Sequence, residues 1–387
     1  MRIAPAAALT ALLTSLPNIS DCEVAAMMKL DEILYQIDPP SEEWRNKGKE
    51  RLEALAIPAG SLGAVTSLAE QLVAITETMT PEFPNKEVFV MAGDHGVVEE
   101  GVSLFPKAVT VEMVGNFLKG GAGINAFAKN AGAKVNVVDL GVDAKLELLY
   151  GKGKIINRKV GFGTKNITKT AAMSRDDAVK ALEAGINLVI DAKSRGVDLI
   201  ATGDMGIGNT TPSTAVFAAL SGLKAKELTG RGTGLEAEAV EHKIAVIDKA
   251  LMLHRSGKND PIAILAKLGG YEIGGIAGLI LGAAYCRMPV LLDGYISTAG
   301  ALLAVSMAPD CKDYIIAAHV SHEQAHKKML EYLGLRPLLQ LDLRLGEGTG
   351  AALAMPLVDA ASTMLRDMLT FEEAGVNSSE QKESAEA

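Results

Sequence analysis

Repeatedly along the chain, an apolar β-rich run ends in a glycine- or acid-bearing loop and gives way to an amphipathic helical pattern. Val88 to Met91 runs into GDHG, and KVNVVDLGV follows at 134–142. VDLIATGDMGIGNTTPSTAVFAAL (197–220), PVLLDGYISTAGALLAV (289–305) and DYIIAAHVSHEQAHKKMLEYL (313–333) repeat the alternation. Continuous apolar runs fit strands buried on both faces, and parallel neighbours need a crossover, usually a helix. The expected fold class is therefore α/β, with a mainly parallel sheet carrying helices on both faces. Ligands of such sheets sit beyond the carboxyl ends of the strands. The loops starting at 93, 203, 293, 319 and 346 are thus expected to converge on one crevice.

Composition narrows the class. An apolar fraction of 48% with 39 glycines and only 4% aromatics, in 387 residues, fits an Ala/Gly-rich enzyme with close helix and sheet packing. A net charge of -9 with no basic stripe speaks against a nucleic-acid partner. Cys22, Cys286 and Cys311 form no CxxC pair, so neither a disulfide framework nor a structural zinc site is indicated, and a reducing cytoplasm is expected. His319, His322 and His326 recur at helical spacing, but no carboxylate or Cys completes a metal set, so they are read as solvated or capping. The most apolar window, IGGIAGLILGAAY (273–285), is too short to span a membrane. Its small residues point to close helix packing, within the subunit or across a dimer.

The termini read differently from the centre. Arg2 and the apolar run Ile3 to Leu13 have the outline of a short secretory signal, but the charge stands alone and no small-x-small site precedes Asp21 and Glu23. Residues 1–28 are expected to be an extension. Helical pattern begins at Lys29 and resumes after Ser41, a capping residue followed by Glu42 and Glu43. The polar tail 372–387 is expected to be disordered.

Two loops carry the chemistry. In LRLGEGTGAALAMPLVDAA (343–361), Glu347 lies between Gly346 and Gly348 ahead of an apolar helix. Poor hydration there raises a carboxylate pKa towards general-base duty, while the plainer reading is that Glu347 and Thr349 open the helix. In GDMGIGNTTPSTA (203–215), Gly206 and Gly208 free backbone N–H groups for an anion, and Asn209, Thr210 and Thr211 add donors. This describes a phosphate cradle, against the alternative of a tight turn with a capping Thr. It is neither a Walker A loop nor the dinucleotide fingerprint. RGTGLEAEAVEHK (231–243) brings Lys243, which neutralises a phosphate if turned into the crevice and is otherwise solvated. Asp293 and Ser321 stand at strand ends, where such groups fix a sugar hydroxyl or a phosphate.

Taken together, MAGDHGV (91–97, with Asp94 and His95), GDMGIGNTTP, RGTGL, PVLLDGYIS and LRLGEGTGAALAMP resemble the nicotinate-nucleotide:dimethylbenzimidazole phosphoribosyltransferase family, over about residues 29–369. The resemblance implies a homodimer with a Rossmann-like large domain (about 85–335) and a smaller helical domain from 29–84 and 336–371. It implies that Glu347 is the general base and that Lys243, Ser321, Asp293 and the 206–211 loop line the nucleotide site. Asp204 stands where the family usually has Glu, one methylene shorter. IPAGSLGA (57–64) replaces the usual Lys-Pro-Pro-Gly-Ser-Leu-Gly-Arg, which leaves the aromatic acceptor open.

The implied reaction transfers phosphoribose from nicotinate mononucleotide to an aromatic base. The departing pyridinium leaves as neutral nicotinate, so no general acid, metal or cofactor is called for. The acceptor sheds one N–H proton, for which a single carboxylate suffices. Asp204 is the candidate to steady the cationic sugar. A paralogue using another acceptor (adenine, another benzimidazole or a phenol) and a catalytically silent binding partner are the rival readings. A nicotinamide-dependent dehydrogenase would suit the fold but lacks the fingerprint and its ribose-binding acid.

Overall fold

The computed structural model describes residues 29–230, 237–255, 257 and 259–377. The expectations for the 1–28 extension, for RGTGLE and for the tail beyond 377 lie outside the described residues. The described residues form eight strands: β1 (Lys86–Gly93), β2 (Ala133–Gly141), β3 (Ile156–Asn157), β4 (Leu199–Met205), β5 (Val290–Leu292), β6 (Ile315–Ala317), β7 (His319–Val320) and β8 (Leu339–Gln340). Helices of two turns or more are α1 (Glu42–Ala54), α2 (Ala64–Thr76), α3 (Val109–Lys119), α4 (Gly123–Asn130), α5 (Arg175–Ser194), α6 (Thr210–Ser221), α7 (Ala237–Leu253), α8 (Pro261–Leu268), α9 (Tyr271–Tyr285), α10 (Tyr295–Met307), α11 (His326–Leu333) and α12 (Thr349–Asp367).

The main sheet is parallel throughout, in the order β3-β2-β1-β4-β5-β6, and β7 with β8 forms a separate parallel pair. From β1 the chain winds outward one way to β3, then crosses back through the 20-residue α5 to β4 and winds the other way. The reversal opens a crevice between the carboxyl ends of β1 and β4, where ligands bind in folds of this order. In register, Met91 pairs with Asp204 and Gly93 with Gly141. Asp204 therefore belongs to the end of the strand and not to the loop.

Strand alternation divides the core. Phe89 and Met91 face the layer of α5, α6, α8, α9 and α10, while Val88, Val90 and Ala92 face that of α1 to α4 and α12. The glycines of α9 let it meet α5 backbone to backbone within the subunit: a Cβ on Gly185 would stand 2.0 Å from the Gly275 carbonyl oxygen. This settles the packing of the apolar window in favour of the subunit interior.

Ser41 caps α1 by accepting from the Trp44 N–H, as expected. The first and last described segments meet: Leu55 bridges Thr370, and Arg51 reaches both Glu373 and the Met368 carbonyl. Their apolar side chains continue into the layer that covers the sheet. The polar tail departs from expectation at its start, because Phe371–Ala374 is a helical turn closed by a Thr370–Glu373 capping box. Among the described residues no helix is long and apolar enough to cross a membrane.

Candidate active site

Glu347 is held in an uncommon conformation. Its φ is +64°, with left-handed glycines on either side at +78° (Gly346) and +92° (Gly348). A bulky residue in this region is strained and persists only where its surroundings over-determine it, which is common at functional sites. The surroundings here are tight: a Cβ on Gly203 would lie 2.5 Å from the Glu347 carbonyl oxygen, and one on Gly348 2.7 Å from Val88. Thus the strand end and the loop approach only because both glycines are bare.

Asp293 fixes the far side of the loop. Its Oδ2 accepts from the Gly348 N–H (3.0 Å), and its Oδ1 accepts from Gly350 (2.9 Å) and Ala351 (3.1 Å) at the N-terminus of α12. The helix is therefore opened by a carboxylate from another strand, which satisfies its orphan donors and opposes its dipole. These three bonds give Asp293 a bracing task at the loop, beside the sugar or phosphate contact expected for it. Ser321 braces the near side, its hydroxyl donating to the Leu343 carbonyl at 3.0 Å. His319 lies against Gly350, where a Cβ would come within 2.0 Å of its Nδ1.

The Glu347 carboxylate is buried and accepts one hydrogen bond, from the Ile124 N–H at the start of α4 (3.2 Å). Burial pushes its pKa above the ordinary carboxylate range and Asp293 adds to the push, while the Ile124 bond opposes it. Asp204 is affected more: buried first, and then beset by Asp293, Glu272 and Glu347, its carboxyl is held well above the usual range, against a 3.0 Å bond from Asn209. A Cβ on Gly346 would stand 3.2 Å from Asp204 Oδ1, so Asp204 borders the Glu347 turn directly.

The remaining expected residues gather nearby. Asp94 accepts from the Asp143 N–H (2.8 Å), and burial raises its pKa. His95 pairs with Glu272 at 2.7 Å, both fully buried. The Gly206–Thr211 segment turns into α6, with Gly208 at φ +84°, and the Ile207 N–H bonded to Thr110. Lys243 is buried, not solvated, and donates to Thr210 Oγ1 at 2.7 Å, so Thr210 serves as its acceptor. Desolvation brings its pKa down to about 8. The histidines differ from the solvated reading, because His319 and His326 are buried by the α12 loop and α10, and only His322 is left outside.

Asp94 Oδ1, His95 Nδ1, Asp204 Oδ1, Thr211 Oγ1, Glu272 Oε2 and His319 Nδ1 are buried without a hydrogen-bond partner among the described residues, and all belong to segments at the carboxyl end of the sheet. Buried polar groups are normally satisfied, so a cluster of exceptions marks a site that takes polar ligand atoms. Glu272 was missed from the sequence. The signal was there: it is a lone carboxylate in a helix otherwise apolar on every side, a position that buries a charge.

A parallel sheet with its crevice at the reversal, and a strained buried carboxylate beside a glycine loop and a lysine, are the features of an α/β enzyme whose crevice suits an anionic ligand. The chain belongs to the phosphoribosyltransferase family, whose model matches residues 37–376. It is similar to the nicotinate-nucleotide–dimethylbenzimidazole phosphoribosyltransferase of Citrifermentans bemidjiense, 51% identical over 91% of this chain and 100% of that one. The enzyme of the same name from Geotalea uraniireducens is 52% identical over 90% of this chain and 99% of its own. The crystal structure of the Thermus thermophilus enzyme of that name superposes with a TM-score of 0.81 at 43% identity, covering 87% of this chain and 99% of that one.

Proposed function

We propose that this chain transfers the 5-phosphoribosyl group from nicotinate mononucleotide to 5,6-dimethylbenzimidazole, with inversion. The products are nicotinate and α-ribazole 5′-phosphate, the nucleotide destined for the lower ligand of cobalamin. The observation that carries the reading is Glu347, a raised-pKa carboxylate held in left-handed backbone at the mouth of the β1–β4 crevice. One benzimidazole nitrogen attacks the anomeric carbon from the face opposite the pyridinium. The C–N bond to nicotinate breaks and its electron pair returns to the ring nitrogen, discharging the cation. Glu347 takes the proton from the acceptor's other nitrogen.

The other residues have supporting tasks. The 206–211 loop and Lys243 hold the phosphate, an ammonium against a dianion at the opening of α6. Asp204 stabilises positive charge on the ribose: a cationic nucleotide beside Asp204 and Glu347 favours their ionised forms and is itself held by them. Asp94 and His95 line the floor. No cofactor or metal takes part in these steps. A homodimer in the cytoplasm completes the proposal. It is supported by apolar side chains left on the surface at Leu104, Phe105 and Leu345, and sedimentation tests the dimer.

Incubation of the purified chain with nicotinate mononucleotide and a panel of aromatic bases, with mass spectrometry of the products, tests the whole reading. α-Ribazole phosphate formed faster than any other nucleotide is expected. Preference for adenine or a phenol would replace the acceptor, and no nicotinate release with any base would point to a silent partner. The relatives' names and the intact Glu347 loop favour neither alternative.

A further inference from the structure

The three histidines that the sequence left without a task include one at the centre of a continuous hydrogen-bonded line. The Ser321 N–H points at His326 Nδ1 at 2.7 Å. A backbone N–H can only donate, so Nδ1 accepts and the ring proton resides on Nε2. Nε2–H then donates to Thr298 Oγ1 (2.8 Å), and the Thr298 hydroxyl donates to the Gly294 carbonyl (2.8 Å). At the other end the Ser321 hydroxyl donates to the Leu343 carbonyl, which also takes the His322 N–H at 2.8 Å. Every group in the line has one possible role, so the line has a single arrangement.

Its two ends are the two anchors of the Glu347 turn. Gly294 follows Asp293, whose carboxylate holds residues 348, 350 and 351, and Leu343 begins the arm that leads into Gly346. We propose that His326 is a positioning residue for Glu347, the middle link that fixes the distance between the anchors and so aims the carboxylate. The inference rests on the reading of Glu347 as the base. His326 itself is fully buried, and its hydrogen bonds go to Ser321 and Thr298, not to the Glu347 carboxylate. Burial, with His319 beside it, brings its pKa down to about 3, so the neutral ring the line requires persists at working pH.

The test compares His326→Phe with His326→Asn. Phe keeps a ring against Tyr295, whose centroid lies 6.4 Å from that of His326, but has no acceptor. Asn restores an acceptor for the Ser321 N–H. Misplacing a catalytic group by an ångström lowers turnover on the order of 10²-fold, so His326→Phe is expected to lose about 10- to 100-fold in kcat. KM for nicotinate mononucleotide should stay within about threefold, because the phosphate loop is not on this line. His326→Asn should recover most of the loss. Amide exchange at residues 344–351 should quicken in the Phe variant, with the last turns of α12 unchanged.

A folded Phe variant with wild-type kcat and unchanged exchange overturns the proposal, and so does an Asn variant as impaired as Phe. If Phe does not fold, Thr298→Val, which removes the acceptor for Nε2–H, is expected to show the same pattern in milder form, and a Val variant with wild-type kcat and exchange would overturn the proposal. A wild type that does not turn over nicotinate mononucleotide refutes the functional reading, while the exchange pattern still decides the relay.

Discussion

Replacing Glu347 with Gln separates catalysis from folding, because the two effects run in opposite directions. The amide oxygen still accepts from the Ile124 N–H, and the positive φ is the same for either side chain, so the turn keeps its geometry. What disappears is the ability to take a proton, and general bases are worth on the order of 10² to 10⁴ in rate, or about 3 to 5 kcal/mol of barrier. Stability should move the other way. The carboxyl's pKa is raised by folding, so its stability contribution is full below the unfolded pKa and is lost as pH rises through the folded one. At about pH 7.5 the wild type bears that loss and the amide does not. The expected result is a kcat reduced by at least about 100-fold with nucleotide affinity retained and a Tm no lower than wild type. Product formation followed by chromatography, with calorimetry on the same samples, reads both. A variant that turned over within about threefold of wild type would leave the turn a purely structural helix opening.

Asp204→Asn should raise Tm at about pH 7.5, and the gap should close as pH falls towards the unfolded Asp value, since the carboxyl is held well above its usual range by burial and three neighbours; a Tm gap that widened in acid would refute the sign. Lys243, with its pKa brought down to about 8, should make KM for nicotinate mononucleotide climb as pH passes that value, and Lys243→Met should abolish the climb, as steady-state kinetics across pH would show. Gly185→Ala places a methyl 2.0 Å from the Gly275 oxygen and should destabilise by about 3 kcal/mol or more in denaturant melts, without a specific change in KM.

The sequence was legible where physics is local or periodic. Two-sided apolar runs gave parallel strands, Ser41 gave a cap, and the Gly-Glu-Gly string gave a buried carboxylate with a raised pKa. It misled where a side chain's surroundings come from distant segments. His326 read as a solvated or capping group, yet it is buried and Thr298 engages it from outside its own stretch. Asp293 read as a ligand contact, and the bonds it also makes to three N–H groups of a helix opening about 55 residues later were not legible. Glu272 was concealed by the apolar helix that buries it.

What the sequence by itself determined is the class of fold and the membership in a transferase family, because alternation, turn chemistry and motif are properties of neighbouring residues; it also singled out Glu347, the proposed base. What only the tertiary structure decided is which polar groups remain without partners and which are engaged in holding Glu347. A hydrogen bond depends on positions to within a few tenths of an ångström, and those are set by packing between strands and helices far apart in the chain.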